Sequence, residues 1–160
     1  MRKGTILQMP ESAHCGIYML INTNNCRVYI GKTQSFRRRS IDHFNLLTNG
    51  THYNKRLQND FNKGHDFVFV VLDDKGMEYR RREMLLLEMQ YMLAFLEKSC
   101  VLYNHETKYQ LRQRLYFEMV FSCIDQISKD FQKKYGCSMA SLCRCRPDTL
   151  VMKFESSQIS

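Results

Sequence analysis

No apolar stretch in this 160-residue chain reaches the roughly 20 residues needed to cross a bilayer; Met84–Leu87 and Met92–Leu96 are short and bounded by polar groups. The N-terminal segment MRKGTILQMPESAH carries two positive charges with no apolar core behind them, so it does not read as a secretory signal. The seven cysteines (Cys15, Cys26, Cys100, Cys123, Cys137, Cys143 and Cys145) are odd in number and scattered, which argues against a disulfide framework. Internal repeats and low-complexity tracts are lacking, and prolines stand only at Pro10 and Pro147. A membrane protein, a disulfide-stapled module and a repeat array are thereby disfavoured, and a cytoplasmic globular protein is expected.

What is present fits that expectation. Hydrophobic residues make up 44% and charged residues 25%, enough for one domain with a real core and a small appendage. The formal net charge is +8 and the pI about 9.2, with the excess spread along the chain. A basic surface suits a polyanion, nucleic acid being the commonest, although charge alone equally fits a basic surface that binds nothing.

Residues 1–14 read as a flexible N-terminal arm. GIYMLI and CRVYIG then flank a polar Asn22–Asn25 turn, the signal of a β-hairpin. Pairing Ile17 with Ile30, Met19 with Val28 and Ile21 with Cys26 puts all six on one apolar face. In that register Tyr18 opposes Tyr29 and Leu20 opposes Arg27 on the face away from the core. Ser35 can cap a helix running to about Thr48, with Arg39 and His43 four apart on one side. A short helix over about 53–62, a buried strand Phe67–Leu72, a long helix over about 78–97, an extended piece 101–104 and a last helix over about 107–135 complete the pattern.

Gly16-Ile17-Tyr18 and Tyr29-Ile30-Gly31, joined by a short hairpin, resemble the two signature tripeptides of the GIY-YIG nucleases. Arg39 and His43 on the next helix, Glu88 on a later one and Asn104 beyond it stand where that family has its functional residues. His52, and the stretch THYNKRLQNDFNKGHDFVFVVLDD, are similar to the phage and homing members. The likeness covers about 15–104. It implies an α+β fold, a small three-stranded antiparallel sheet flanked by helices, within a nuclease domain at 15–106. It further implies a divalent-metal-dependent DNA endonuclease of the homing, mobile-element or phage type, acting on double-stranded DNA in a bacterial or phage-infected cytoplasm. A restriction-type or DNA-degrading enzyme, or a catalytically silent DNA-binding module, is the alternative. One Mg²⁺ (or Mn²⁺) per active site is implied.

Residue chemistry agrees with these roles. Glu88 interrupts LLLEMQYML on a face shared with Met84, Leu85, Met92 and Phe95, and an ionised carboxylate there needs a cation. That cation is either a hard metal ion, which needs only one or two carboxylates besides water and phosphate oxygens, or a structural partner such as Arg81 or Arg39. Tyr18 is the expected general base, with Tyr29 positioning water or phosphate, and the two roles are interchangeable at this stage. An ordinary phenol is barely ionised at neutral pH, so Lys32, Arg39 and the metal are expected to lower its pKa. Arg39 suits the non-bridging phosphate oxygens. His43 could share base or orienting duty, while His52, Lys32 and Asn104 are expected to support. Arg37, Arg38, Lys55 and Arg56 are expected to contact flanking DNA.

Residues 105–160 lie outside the likeness, and 107–160 read as a helical extension that dimerises or forms higher homo-oligomers, covers the core, or binds DNA. A helix-turn-helix over 127–146 would present Arg144 and Arg146 to phosphates, but Gln132 stands where a small residue is usual. Cys137, Cys143 and Cys145 lack a clear fourth zinc ligand. No cysteine/histidine-rich ring finger follows the nuclease-like region, which argues against a junction-resolving role.

Overall fold

The structure is a computed structural model and describes residues 3–135. The elements are β1 (Ile6–Leu7), β2 (Gly16–Asn22), β3 (Val28–Thr33), α1 (Phe36–Thr48), α2 (Lys55–Asn62), β4 (Phe67–Asp74), α3 (Arg81–Glu97) and α4 (Lys108–Tyr135). The fold is α+β as expected, but the sheet has four strands in the order β1-β4-β2-β3 and is mixed. β1 is the addition: Ile6 and Leu7 pair parallel to Phe67 and Val68, and Ile6 is buried. A two-residue strand has no periodicity to read, so the arm expected to be flexible instead covers what would have been the open edge of β4.

The β2–β3 register also differs from expectation, by two residues. Tyr18 opposes Gly31, Met19 opposes Ile30 and Leu20 opposes Tyr29. Asn22 reads as a turn residue but ends the strand, because its buried amide donates to Tyr103 Oη at 2.7 Å. The turn moves on to Cys26, which adopts a left-handed φ of 56°. A slip of two preserves the faces, so Tyr18 and Tyr29 still share one side, as diagonal rather than direct neighbours.

That side is not away from the core, because both faces are covered. Tyr18, Leu20, Tyr29 and Phe69 pack with Phe36, Leu47, Leu57 and Phe61 of α1 and α2. Ile17, Val28 and Ile30 pack with Met84, Met89 and Met92 of α3 and with Leu111. Burial of these side chains drives the assembly, at roughly 1.5–3 kcal/mol for each large apolar group.

Helix ends follow their caps. The Ser35 hydroxyl accepts from the Arg38 N–H and starts α1, and the Asn54 side chain accepts from the Leu57 N–H and starts α2.

The chain divides into two compact units, Met1–Leu115 and Tyr116–Ser160. The first includes Leu111, which is fully buried. In the second, α4 exposes Tyr116, Phe117, Met119, Phe121, Ile124 and Ile127. Arg144, Arg146, the helix-turn-helix and the three C-terminal cysteines lie outside the described residues. Among the described residues no helix is long and apolar enough to cross a membrane.

Candidate active site

β3 is an edge strand, and its outer side organises the site. Three of its residues are bonded in turn. Val28 is held by Val101 and Tyr103, at 3.1 and 2.8 Å. The Asn104 amide accepts from the Ile30 N–H and donates to the Ile30 carbonyl, both at 2.9 Å, so one side chain replaces a strand residue. Lys32 N–H donates to Glu88 Oε1 at 3.1 Å. Asn104 thus steadies β3 itself.

Glu88 sits on the α3 face that carries Met84 and Met92, with both methionines buried and the carboxylate at the rim. Its cation partner is Lys32, whose Nζ stands 2.5 Å from Oε2, and not Arg81 or Arg39.

On the other sheet face, α1 aims two side chains at one oxygen. Arg39 Nε donates to Tyr18 Oη at 2.9 Å, and His43 Nε2 lies 2.7 Å from the same atom. The Tyr18 ring stacks on Phe69 with centroids 4.8 Å apart. It lies across Gly31, where an added Cβ would stand 2.5 Å from Oη. Gly16, with φ 154°, is equally committed, since a Cβ there would run into the Asp73 carbonyl. Both motif glycines therefore have a steric reason to be glycine.

Behind His43 lies His52, its Nε2 2.9 Å from His43 Nδ1, while the Asn54 N–H donates to His52 Nδ1 at 3.1 Å. Sequence reasoning missed Tyr53. It is half-exposed, accepts from Arg39 Nη2 at 3.0 Å, bonds Tyr29 Oη and stacks on His52. Only its place beside His52 could have pointed to it, for it obeys no apolar period. The buried Asn54 was missed for the same reason.

Burial dominates the protonation states. It pushes the Tyr18 phenol well above its ordinary range, and the Arg39 charge pulls the other way without cancelling it. Tyr29 is raised more strongly, again by burial. The expected lowering of the Tyr18 pKa is therefore not met in the protein alone, and Lys32 is committed to Glu88 rather than to Tyr18. Burial and then Arg39 lower His43 to about 2, and burial lowers His52 to about 4. Both histidines are neutral at pH 7.

Tyr18, Tyr29, Lys32, Arg38, Arg39 and Glu88 line one open cleft of about 740 Å³, together with Gly31, Asp42 and Tyr79. The Glu88 charge acts on the Tyr18 phenol. Arg38 is exposed beside Asp42, at 4.0 Å. Arg37, Lys55 and Arg56 are exposed but do not line this cleft.

Among the described residues no three or more His, Cys, Asp or Glu gather as a ligand cage. Of the two carboxylates on the cleft, Asp42 lies beside Arg38, and Glu88, held by Lys32, is an oxygen donor that fits a Mg²⁺-like ion, which takes its remaining positions from water and phosphate oxygens.

A protein-family model described as the GIY-YIG catalytic domain matches residues 14–90. The solved catalytic domain of the homing endonuclease I-TevI superposes with a TM-score of 0.52 at 30% identity, covering 58% of this chain and 99% of that one. A point variant of the same domain gives the same score and identity over 94% of its length. The chain belongs to the GIY-YIG family. Among curated relatives, intron-associated endonuclease 1 of Enterobacteria phage T4 is 40% identical over 60 residues, 37% of this chain. UvrABC system protein C of Pseudothermotoga lettingae is 28% identical over 96 residues, 60% of this chain. The matches span only 24% and 14% of those two proteins' own lengths.

Proposed function

We propose that this GIY-YIG chain is a divalent-metal-dependent DNA endonuclease of the phage or homing kind, hydrolysing phosphodiester bonds in double-stranded DNA. One observation carries the reading: a phenol gripped by a guanidinium lines the same cleft as the Glu88 carboxylate, which the Lys32 N–H presets.

Tyr18 is the general base. As phenolate it takes a proton from a water whose oxygen bonds to phosphorus, and the bond from phosphorus to the leaving 3′ oxygen breaks. That oxygen takes a proton from cleft water, and Tyr18 returns its own to solvent. Arg39 has five N–H donors, and those not used on Tyr18 and Tyr53 meet the non-bridging oxygens where charge builds up. Tyr29 and Tyr53 bond one another and keep Arg39 aligned. Glu88 would hold the metal ion, which supplies positive charge beside the phosphate and the leaving oxygen. Arg38 extends the basic wall along the flanking strand, and Arg37, Lys55 and Arg56 contact DNA farther out. The cytoplasm of a bacterium or phage-infected cell is where such a substrate is met.

Incubating supercoiled plasmid with the full chain tests this. Relaxation or linearisation with Mg²⁺ or Mn²⁺, and its loss on chelation, is expected. Intact plasmid under all metal conditions, with binding retained, would leave a silent DNA-binding module.

A further inference from the structure

Polar groups that only donate fix the direction of a whole hydrogen-bonded chain. The backbone N–H of Asn54 has a proton to give and no lone pair to offer, so His52 Nδ1, 3.1 Å away, is the acceptor. A neutral imidazole with Nδ1 unprotonated carries its proton on Nε2. His52 Nε2–H therefore donates to His43 Nδ1 at 2.9 Å, since two N–H groups cannot face one another at that distance. His43 in turn must carry its proton on Nε2, which donates to Tyr18 Oη at 2.7 Å. Arg39 Nε, also a pure donor, reaches the same oxygen at 2.9 Å.

We infer that Asn54, His52 and His43 form a one-way donor chain ending on Tyr18, with His52 a positioning residue that fixes the tautomer of His43. Neither histidine is a base in this arrangement. His43 cannot take the Tyr18 proton, because its Nε2 is already protonated and its Nδ1 is already accepting. The Tyr18 oxygen receives two donors and keeps its third direction for its own proton. Two fixed donors are what a phenolate needs while it waits for a water proton.

The surroundings keep both rings neutral. Tyr18 from β2, Tyr29 from β3, and Arg39 from α1 surround His43. Tyr53, Asn54 and Lys55 flank His52. No carboxylate in this set could stabilise an imidazolium. Burial of both histidines completes the effect.

The inference rests on the reading of Tyr18 as base, but its first test does not. Histidine-selective long-range ¹H–¹⁵N spectra of the full chain report the tautomer of each ring directly. Both His43 and His52 are expected as the Nε2–H form, unchanged between about pH 5.5 and 8, a range that brackets the unperturbed histidine pKa of about 6.5. An Nδ1–H form of His43, or its protonation within that range, would overturn the proposal. Kinetics supply the second arm. His52→Gln keeps an N–H for His43 and is expected to retain most of the single-turnover rate, whereas His52→Leu should lose about 10–100-fold, the usual loss for a removed orienting partner, at unchanged DNA affinity. Equal rates in the two variants would overturn it. If wild type does not cut DNA at all, the proposed function fails while the tautomer measurement still decides this inference.

Discussion

Tyr18 lies across the β2–β3 ladder from Gly31, and the glycine's missing side chain is the space its phenol oxygen occupies. The ring has nowhere to retreat, being fully buried and stacked on Phe69. Gly31→Ala is therefore expected to cost about 1–3 kcal/mol of stability, the range for overpacking a filled core. It should also lower cleavage by more than the stability loss explains, because the phenol must leave its two donors. Urea unfolding and single-turnover cleavage check both effects; a variant as stable and active as wild type would mean that the ring is not held there.

The same pair marks how far the sequence could be read. Alternation in GIYMLI and CRVYIG placed both tyrosines on one face, and that survives a two-residue slip because side-chain direction repeats every two residues. The slip itself was not legible: it depends on Asn22 reaching Tyr103, a residue 81 positions later. Ser35 announced the start of α1 locally, and Glu88 stood out as a charge among methionines and leucines. Its partner Lys32 did not, since the pairing requires β3 to be an edge strand. β1, Tyr53 and Asn54 were invisible for the same reason: each is defined by what the fold brings to it and not by its neighbours in the chain.

Burial holds the Tyr18 phenol above its ordinary pKa. If Tyr18 is the base, the reactive phenolate grows about tenfold for each pH unit, so the logarithm of the single-turnover rate should rise with a slope near one from about pH 6 to 9. A plateau setting in near the ordinary histidine pKa of about 6.5 would instead assign the base to an imidazole.

Acid should destabilise the protein early. His43 and His52 have folded pKa values of about 2 and 4 against an ordinary 6.5, so the unfolded chain binds more protons than the folded one below pH 6.5. Their contribution is fully present above that value and is lost as pH falls. The slope is on the order of 1.4 kcal/mol per pH unit for His43 until its folded pKa is reached. Asp60, bonded to Tyr103 and Asn25, adds to the loss only at lower pH, its pKa being held below the usual carboxylate value. Urea midpoints at pH 7.5, 6.5 and 5.5 should fall in that order. Equal midpoints would show that the histidines take up protons without cost.

Glu88→Gln keeps an acceptor for the Lys32 N–H while removing the charge that would hold a divalent ion. Cleavage should fall by at least about 100-fold and not recover at higher Mg²⁺, as expected when charge stabilisation of the transition state is lost. DNA affinity measured without metal should stay near wild type. Full activity in this variant would remove Glu88 from the metal site.

The account stands most directly on one oxygen atom. Tyr18→Phe leaves the ring on Phe69 and deletes only the acceptor of Arg39 and His43. With the variant shown to be folded and to bind duplex DNA as wild type does, its Mg²⁺-dependent single-turnover cleavage rate is expected to drop by about 10²–10⁴-fold, the range for loss of a general base. A rate within about threefold of wild type, under half a decade against that range, would contradict the account.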